Sequence, residues 1–163
     1  MAVGTVGSIH GGSASNVIPD SVELKLTVRA YRPEQRLEIR DRIVSLIGAQ
    51  AQSFGATARV DYRFGFPSVV NHASETAFAR RVAVHSFGPG AVDDAFKPRT
   101  ASEDFAFMLQ ERPGTYLFVG NGDSASLHSP HYDFNDAIIA PAAAYWANLA
   151  EAYLTQPADQ ELR

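Results

Sequence analysis

From Val22 to Arg29 apolar and polar side chains alternate without interruption: Val22, Leu24, Leu26 and Val28 on one parity, Glu23, Lys25, Thr27 and Arg29 on the other. A pleated strand puts successive side chains on opposite faces, so this run predicts a strand with one covered and one wet face. A second run sets Ala58, Val60, Tyr62 and Phe64 against Thr57, Arg59, Asp61 and Arg63 and predicts another such strand. Residues 2–10 mix small and β-branched residues with Gly4 and Gly7 and read as a strand ended by Gly11-Gly12-Ser13. Pro19 biases Ile18 towards extended backbone, which makes residues 16–20 a connection.

Between the alternating runs the period changes to that of a helix. Pro33 and Glu34 suit a first helical turn. Leu37, Ile43, Val44, Ile47, Ala51 and Phe54 fall on one face, and Gly55 stands just past the end. The order as far as Pro67 is β-β-α-β, and the one-sided strands suit an antiparallel sheet covered on one face.

Beyond Pro67 the character changes. Residues 74–87 read as a helix stopped by Gly88-Pro89-Gly90. Thr100 and Glu103 have capping-box spacing ahead of the apolar run 105–109. Pro113-Gly114 is a turn, and Tyr116-Leu117-Phe118-Val119 is apolar throughout, as in a strand covered on both faces. A polar loop, 120–136, leads to a last helix at Pro141 that turns Tyr145, Trp146, Leu149 and Tyr153 inward. Residues 157–163 read as a loose tail.

The chain has 163 residues, enough for one ordinary domain or two half-domains. It has no cysteine, which removes disulfides, thiolate zinc sites and cysteine nucleophiles. With 14 basic against 18 acidic residues and no basic patch, it is a poor partner for nucleic acid. Its longest apolar stretch, near 140–144, falls far short of the roughly 20 residues that cross a bilayer. The opening Met1-Ala2-Val3-Gly4 has neither a basic nor an apolar leader region. The expectation is a soluble, cytoplasmic protein.

The densest group of reactive side chains is Leu127-His128-Ser129-Pro130-His131-Tyr132-Asp133-Phe134-Asn135-Asp136, beyond an apolar strand and before a helix. Loops at the carboxyl ends of strands are where α/β folds bind ligands. Two histidines three apart do not make a metal site, which wants about four ligands, and no helical His-Glu-x-x-His completes one. Arg29, on the polar face of its strand, can reach a ligand, but by itself it reads first as an ion pair with Glu23 or another exposed carboxylate, the ordinary role of a sheet-face arginine. Glu103 reads as a helix-starting carboxylate.

Ordered segments nonetheless form a pattern. Gly11-Gly12-Ser13-Ala14-Ser15-Asn16-Val17-Ile18-Pro19-Asp20, Thr27-Val28-Arg29, Thr100-Ala101-Ser102-Glu103-Asp104-Phe105-Ala106, Arg112-Pro113-Gly114-Thr115-Tyr116, Phe118-Val119-Gly120-Asn121-Gly122 and the 127–136 loop follow one another. Together they resemble the C-terminal portion of the hippurate hydrolase/N-acyl-amino-acid amidohydrolase family, which is metallopeptidase-like and includes the auxin–amino-acid conjugate hydrolases. The resemblance implies a fold of class α+β / α/β. A partial ferredoxin-like antiparallel lid and dimerisation domain (1–68) is followed by the closing helix-strand-helix segment of an α/β metallohydrolase domain (69–156), with 157–163 as the tail.

The resemblance also implies roles. His128 matches a metal ligand of a divalent pair (zinc, manganese, nickel or cobalt). Asn16 and Arg29 match residues that grip a substrate carboxylate. Glu103 and Asp104 match an acidic pair near the site, and Asp133 and Asp136 suit residues around the ligand histidine. His131, His10, His72 and His85 carry no implied role. The family's His-x-Asp, Glu-Glu pair and bridging aspartate have no counterpart upstream of these motifs. The expectation is therefore a piece of a metal-dependent amidohydrolase for small N-acyl amino acids, inactive and without stoichiometric metal alone, contributing no catalytic residue and forming a homo-oligomer. The competing expectation is a self-associating or binding module without chemistry.

Overall fold

The computed structural model describes residues 2–155, so the tail expected at 157–163 lies outside the described residues. Strands β1 (Ala2–Gly11) and β2 (Val22–Ala30) precede helices α1 (Pro33–Ser53), α2 (Ala73–Phe87), α3 (Phe105–Glu111) and α4 (Ile139–Leu154). Short 3-10 turns occupy Pro89–Ala91 and Asp136–Ile138. The chain divides into two compact units. One takes in the residues up to Val69 with Pro98–Phe107, the other Val70–Lys97 with the residues from Met108 on.

In the first unit β1 and β2 form an antiparallel two-stranded sheet. Val6 lies opposite Leu26 and Ser8 opposite Lys25, so Gly7 is the extra residue of a bulge. The bulge decides the faces. Val6 and Ile9 are three residues apart and would point oppositely along a regular strand. With Gly7 unpaired they join Val22, Leu24 and Leu26 on one apolar face, while Val3, Thr5, Ser8 and His10 oppose Arg29, Thr27, Lys25 and Glu23 on the other. At the far end Gly11 sits so close to Val22 that a Cβ would meet its Cγ2 at 2.7 Å.

Helix α1 runs from Pro33, with Glu34 in its first turn. It ends in a Schellman motif, where Ala56 N–H donates to Ala51 O (3.0 Å) and Gly55 N–H to Gln52 O (3.0 Å), with Gly55 at φ 69°. Its half-buried strip is Ile39, Ile43, Ile47 and Ala51, so Leu37, Val44 and Phe54, expected inside, are exposed. The difference follows from what packs on the helix. Arg36 and Arg40 lie over the Phe64 ring at 5.3 and 5.7 Å, and Arg36 Nη2 donates to Gly65 O (3.1 Å). These contacts lie on the same side of the helix as Ile39, Ile43 and Ile47.

Two expected strands, 58–64 and 116–119, are not strands here, because neither has a ladder partner among the described residues. Alternation or apolarity selects a face, but a strand also needs a neighbour for its N–H and C=O groups.

In the second unit α2 and α4 pack together. Tyr145 Oη donates to Ala79 O (3.1 Å), Asn148 Nδ2 donates to Ser86 Oγ (2.9 Å), and the Phe78 and Tyr153 rings meet edge-on. Half-buried Ala142, Tyr145, Leu149 and Ala152 follow helical spacing; Trp146, expected inside, lies off that strip and is exposed, and Tyr153, also expected inside, is exposed at its end although its ring edge meets Phe78. Ala79 and Val82 of α2 are buried. Segment 113–116 is tied to the start of α2 by side chains. Asn71 Nδ2 donates to Tyr116 O (2.9 Å) and Tyr116 N–H donates to Asn71 Oδ1 (2.8 Å), so one carboxamide serves as a peptide group. His72 N–H donates to Gly114 O (3.0 Å), and Gly114 N–H donates to His72 Nδ1 (3.2 Å).

Burial pushes the Tyr145 phenol above its ordinary value. A group raised in this way contributes stability that is complete below the unfolded phenol value, about pH 10, and is lost as pH rises through the folded value. Through loss of its hydrogen bond to Ala79 O, Tyr145→Phe is expected to lower stability at neutral pH by about 1 kcal/mol. It should also flatten the alkaline loss in urea unfolding curves taken across that range.

Candidate functional site

The potential site residues fall on both units, and each group has its own geometry. Arg29 lies near the end of β2 opposite Val3, on the polar face. The ion pair that its position suggests does not form. Glu23 pairs with Lys25 (3.7 Å), and among the described residues Arg29 enters no ion pair and no hydrogen bond. Its side chain is half-buried and its Nε is sealed from solvent without a partner. Tyr31 Oη and Gln35 Oε1, two and six residues on, are likewise buried and unpartnered. A guanidinium loses hydration on burial and regains it only from an acceptor, best a carboxylate bound through two parallel N–H groups.

Asn16 is exposed in the connection 12–21, beyond the Gly11–Val22 end of the ladder, whereas Arg29 pairs near the opposite end. No hydrogen bond joins the two.

His128 is the sole non-glycine residue at positive φ (69°) among the described residues. It sits in a turn closed by Ser129 N–H to Ser126 O (3.0 Å), and a second turn follows through Tyr132 N–H to Ser129 O (3.0 Å). Ser129 Oγ accepts from His131 N–H (3.2 Å). Left-handed backbone costs an L-residue about 1–2 kcal/mol, which the surrounding turns must hold in place. The ring is exposed, and no hydrogen bond engages either nitrogen among the described residues. A free imidazole nitrogen is a suitable donor for a borderline divalent metal and fits one coordination position. It does not make a centre: no three His, Cys, Asp or Glu residues gather to hold an ion among the described residues.

The acidic candidates have structural partners. Glu103 Oε1 accepts from Phe105 N–H (3.2 Å), and Asp104 O accepts from Phe107 N–H (2.9 Å), so both serve the start of α3. Thr100 lies ahead of that start and the expected capping box does not form, because the helix begins at Phe105. Asp136 opens the 3-10 turn before α4, where the Asn135 side chain supplies the cap. Asp133 acts through its backbone carbonyl, which accepts from Asn121 Nδ2 (2.9 Å). No hydrogen bond connects Asp133 or Asp136 to His128. The residues that sequence reasoning passed over are Asn121 and Asn135, flanking the histidine loop; the Gly120-Asn121-Gly122 run was the available signal.

The sequence pattern described as Peptidase family M20/M25/M40 matches residues 3–152. The hippurate hydrolase of Campylobacter jejuni is 33% identical over 153 residues, covering 94% of this chain and 40% of that protein. The N-acetyl-L-cysteine deacetylase of Bacillus subtilis is 33% identical, covering 94% and 36%. The IAA-amino acid hydrolase ILR1-like 5 of Arabidopsis thaliana is 35% identical, covering 92% and 36%. The chain thus spans about two fifths of the length of such relatives. Among solved structures, the Bacillus subtilis YXEP protein, described as a dinuclear metal binding peptidase, superposes with a TM-score of 0.74 at 25% identity, over 94% of this chain and 42% of that one.

The turn at 126–129 yields a test. His128→Val, which suffers most in left-handed backbone, is expected to be less stable than His128→Gly by about 1–2 kcal/mol in chemical denaturation. Equal stabilities would mean that the turn relaxes when the histidine is replaced.

Proposed function

Because this chain belongs to peptidase family M20/M25/M40, we propose that it is the carboxylate-binding and single-imidazole portion of a metal-dependent hydrolase acting on the amide bond of small N-acyl amino acids. The relatives named hippurate hydrolase, N-acetyl-L-cysteine deacetylase and IAA-amino acid hydrolase support that substrate class, since each name describes an acyl group joined to an amino acid. The observation that carries the reading is Arg29, a half-buried guanidinium with no anionic partner among the described residues.

Arg29 binds the free carboxylate of the substrate through its terminal nitrogens; Asn16, which the resemblance pairs with it, lies at the opposite end of the hairpin and is not brought to the same carboxylate within this chain. His128 supplies one neutral imidazole ligand of a divalent pair. The chemistry such a pair supplies is polarisation of the scissile carbonyl and activation of water. No described residue is assigned as general base, and the remaining ligands lie outside these residues. The chain by itself does not turn over, and its setting is the cytoplasm. The resemblance assigns Glu103 and Asp104 the part of a supporting acidic pair and Asp136 a place next to the ligand histidine's loop.

In an active protein containing this chain, Arg29→Ala is expected to raise KM for an N-acyl amino acid roughly tenfold or more, as for a hydrogen bond to a charged group. Its carboxamide analogue should be unaffected. Equal losses for acid and amide would remove the carboxylate role.

The second reading, a self-associating module without chemistry, is favoured by the apolar hairpin face. Val6, Ile9, Val22, Leu24 and Leu26 share that face and are all exposed. A homodimer formed through it should be seen as twice the chain mass by light scattering. Leu24→Lys should return it to monomer, and a monomer at high concentration would sink the reading.

A further inference from the structure

The loop that carries His128 is closed at its base by two asparagines. Asn121 Nδ2 donates to Asp133 O (2.9 Å), and Asn121 Oδ1 accepts from Asn135 N–H (2.8 Å). Asn135 Nδ2 donates to Asn121 O (3.3 Å). Three hydrogen bonds therefore join 121 to 133–135 across the loop, and each asparagine also braces its own side. Asn121 Nδ2 reaches Ser124 Oγ (3.0 Å), and Asn135 Oδ1 accepts from Ala137 N–H (3.1 Å) at the turn before α4. Gly122 lies against the pair, its absent Cβ 3.5 Å from Asn135 Nδ2.

The side-chain chemistry is specific. Asn121 is used as donor and acceptor at once, which only a carboxamide of this length provides; aspartate would offer an acceptor to the Asp133 carbonyl and be repelled. Inside this closure the two consecutive turns at 126–132 leave His128 at φ 69°. Strained backbone persists where the surroundings over-determine it. The latch supplies that determination, since with the loop ends released the turns have only their own hydrogen bonds to oppose the αL cost.

We infer that Asn121 is a positioning residue: with Asn135 it latches the loop and holds His128 in the left-handed turn that presents its imidazole. The inference rests on the reading of His128 as a metal ligand for its purpose, though not for its geometry.

The test uses the full chain with Asn121→Ala and Asn121→Asp, followed by NMR. A residue at positive φ gives a strong intraresidue amide-to-α-proton NOE. Both variants should lose this signature at His128. In Asn121→Ala, protection of the Asn135 amide against hydrogen exchange should fall about tenfold, the loss of a single hydrogen bond, whereas Asn121→Asp keeps an acceptor for that amide. Amides of α2 and α4 should keep their protection, which separates the latch from general destabilisation. An unchanged His128 NOE and, in Asn121→Ala, unchanged exchange at Asn135 would overturn the inference, as would a uniform loss across α2 and α4. A second arm titrates Co²⁺ alone into the metal-free form of an active protein containing this chain, as wild type and as Asn121→Ala. Paramagnetic shifts at His128 that weaken in the variant support the purpose. Their absence in the wild type, with the first arm positive, leaves the latch standing and removes the ligand reading.

Discussion

A backbone N–H or C=O withdrawn from water must find a partner, and in this chain the way that demand is met decides which segments become regular structure. Where two alternating segments lie side by side, as β1 and β2 do, the main chain pairs with itself. Where a segment has no neighbouring strand, side chains take over. Asn71 pairs with both polar groups of Tyr116 through one carboxamide, and Asn121 and Asn135 do the same across the histidine loop. An asparagine copies a peptide group in its donor, its acceptor and their spacing, so it can close a loop without the length of a second strand.

The same demand explains why Arg29 stands apart. Its neighbours on the polar face are satisfied: Glu23 has Lys25, and along α1 Arg42 pairs with Glu38. Exposed pairs of this kind are worth little, and their loss would scarcely be felt. Arg29 differs because its Nε is sealed while no acceptor reaches it. Desolvation without compensation is costly, and it persists where an external anion repays it. In the second unit, strain has the corresponding place. His128 alone among the described non-glycine residues adopts positive φ, and it lies in the motif that the family resemblance singles out.

Much of the fold could be read from the residues. The alternation at 22–29 and the helical period after Pro33 correspond to β2 and α1 within a residue or so, as does Gly55 to the end of α1. The family resemblance was equally legible, carried by ordered motifs rather than by any single residue, and the match over residues 3–152 agrees with it. What periodicity missed was direction and partnership. Leu37 and Val44 share a helical face with Ile47, yet both are exposed while Ile39 and Ile43 are half-buried, on the side where Arg36 and Arg40 meet the Phe64 ring. Trp146 is the largest apolar residue of α4 and stays outside, because the strip facing α2 runs through Tyr145 and Leu149.

Local sequence determined β2, the helices, the stop of α1 and the family, because period, turn chemistry and motif order are properties of neighbouring residues, but whether 58–64 and 116–119 became strands depended on a partner. Tertiary structure alone decided three things. The Gly7 bulge brings Val6 and Ile9 to one face, since a bulge is defined by the opposite strand. Arg29 is left without an ion partner, since that depends on which acceptors fold within reach. The asparagine latch forms because residues far apart in the chain come within hydrogen-bond distance only when the loop closes.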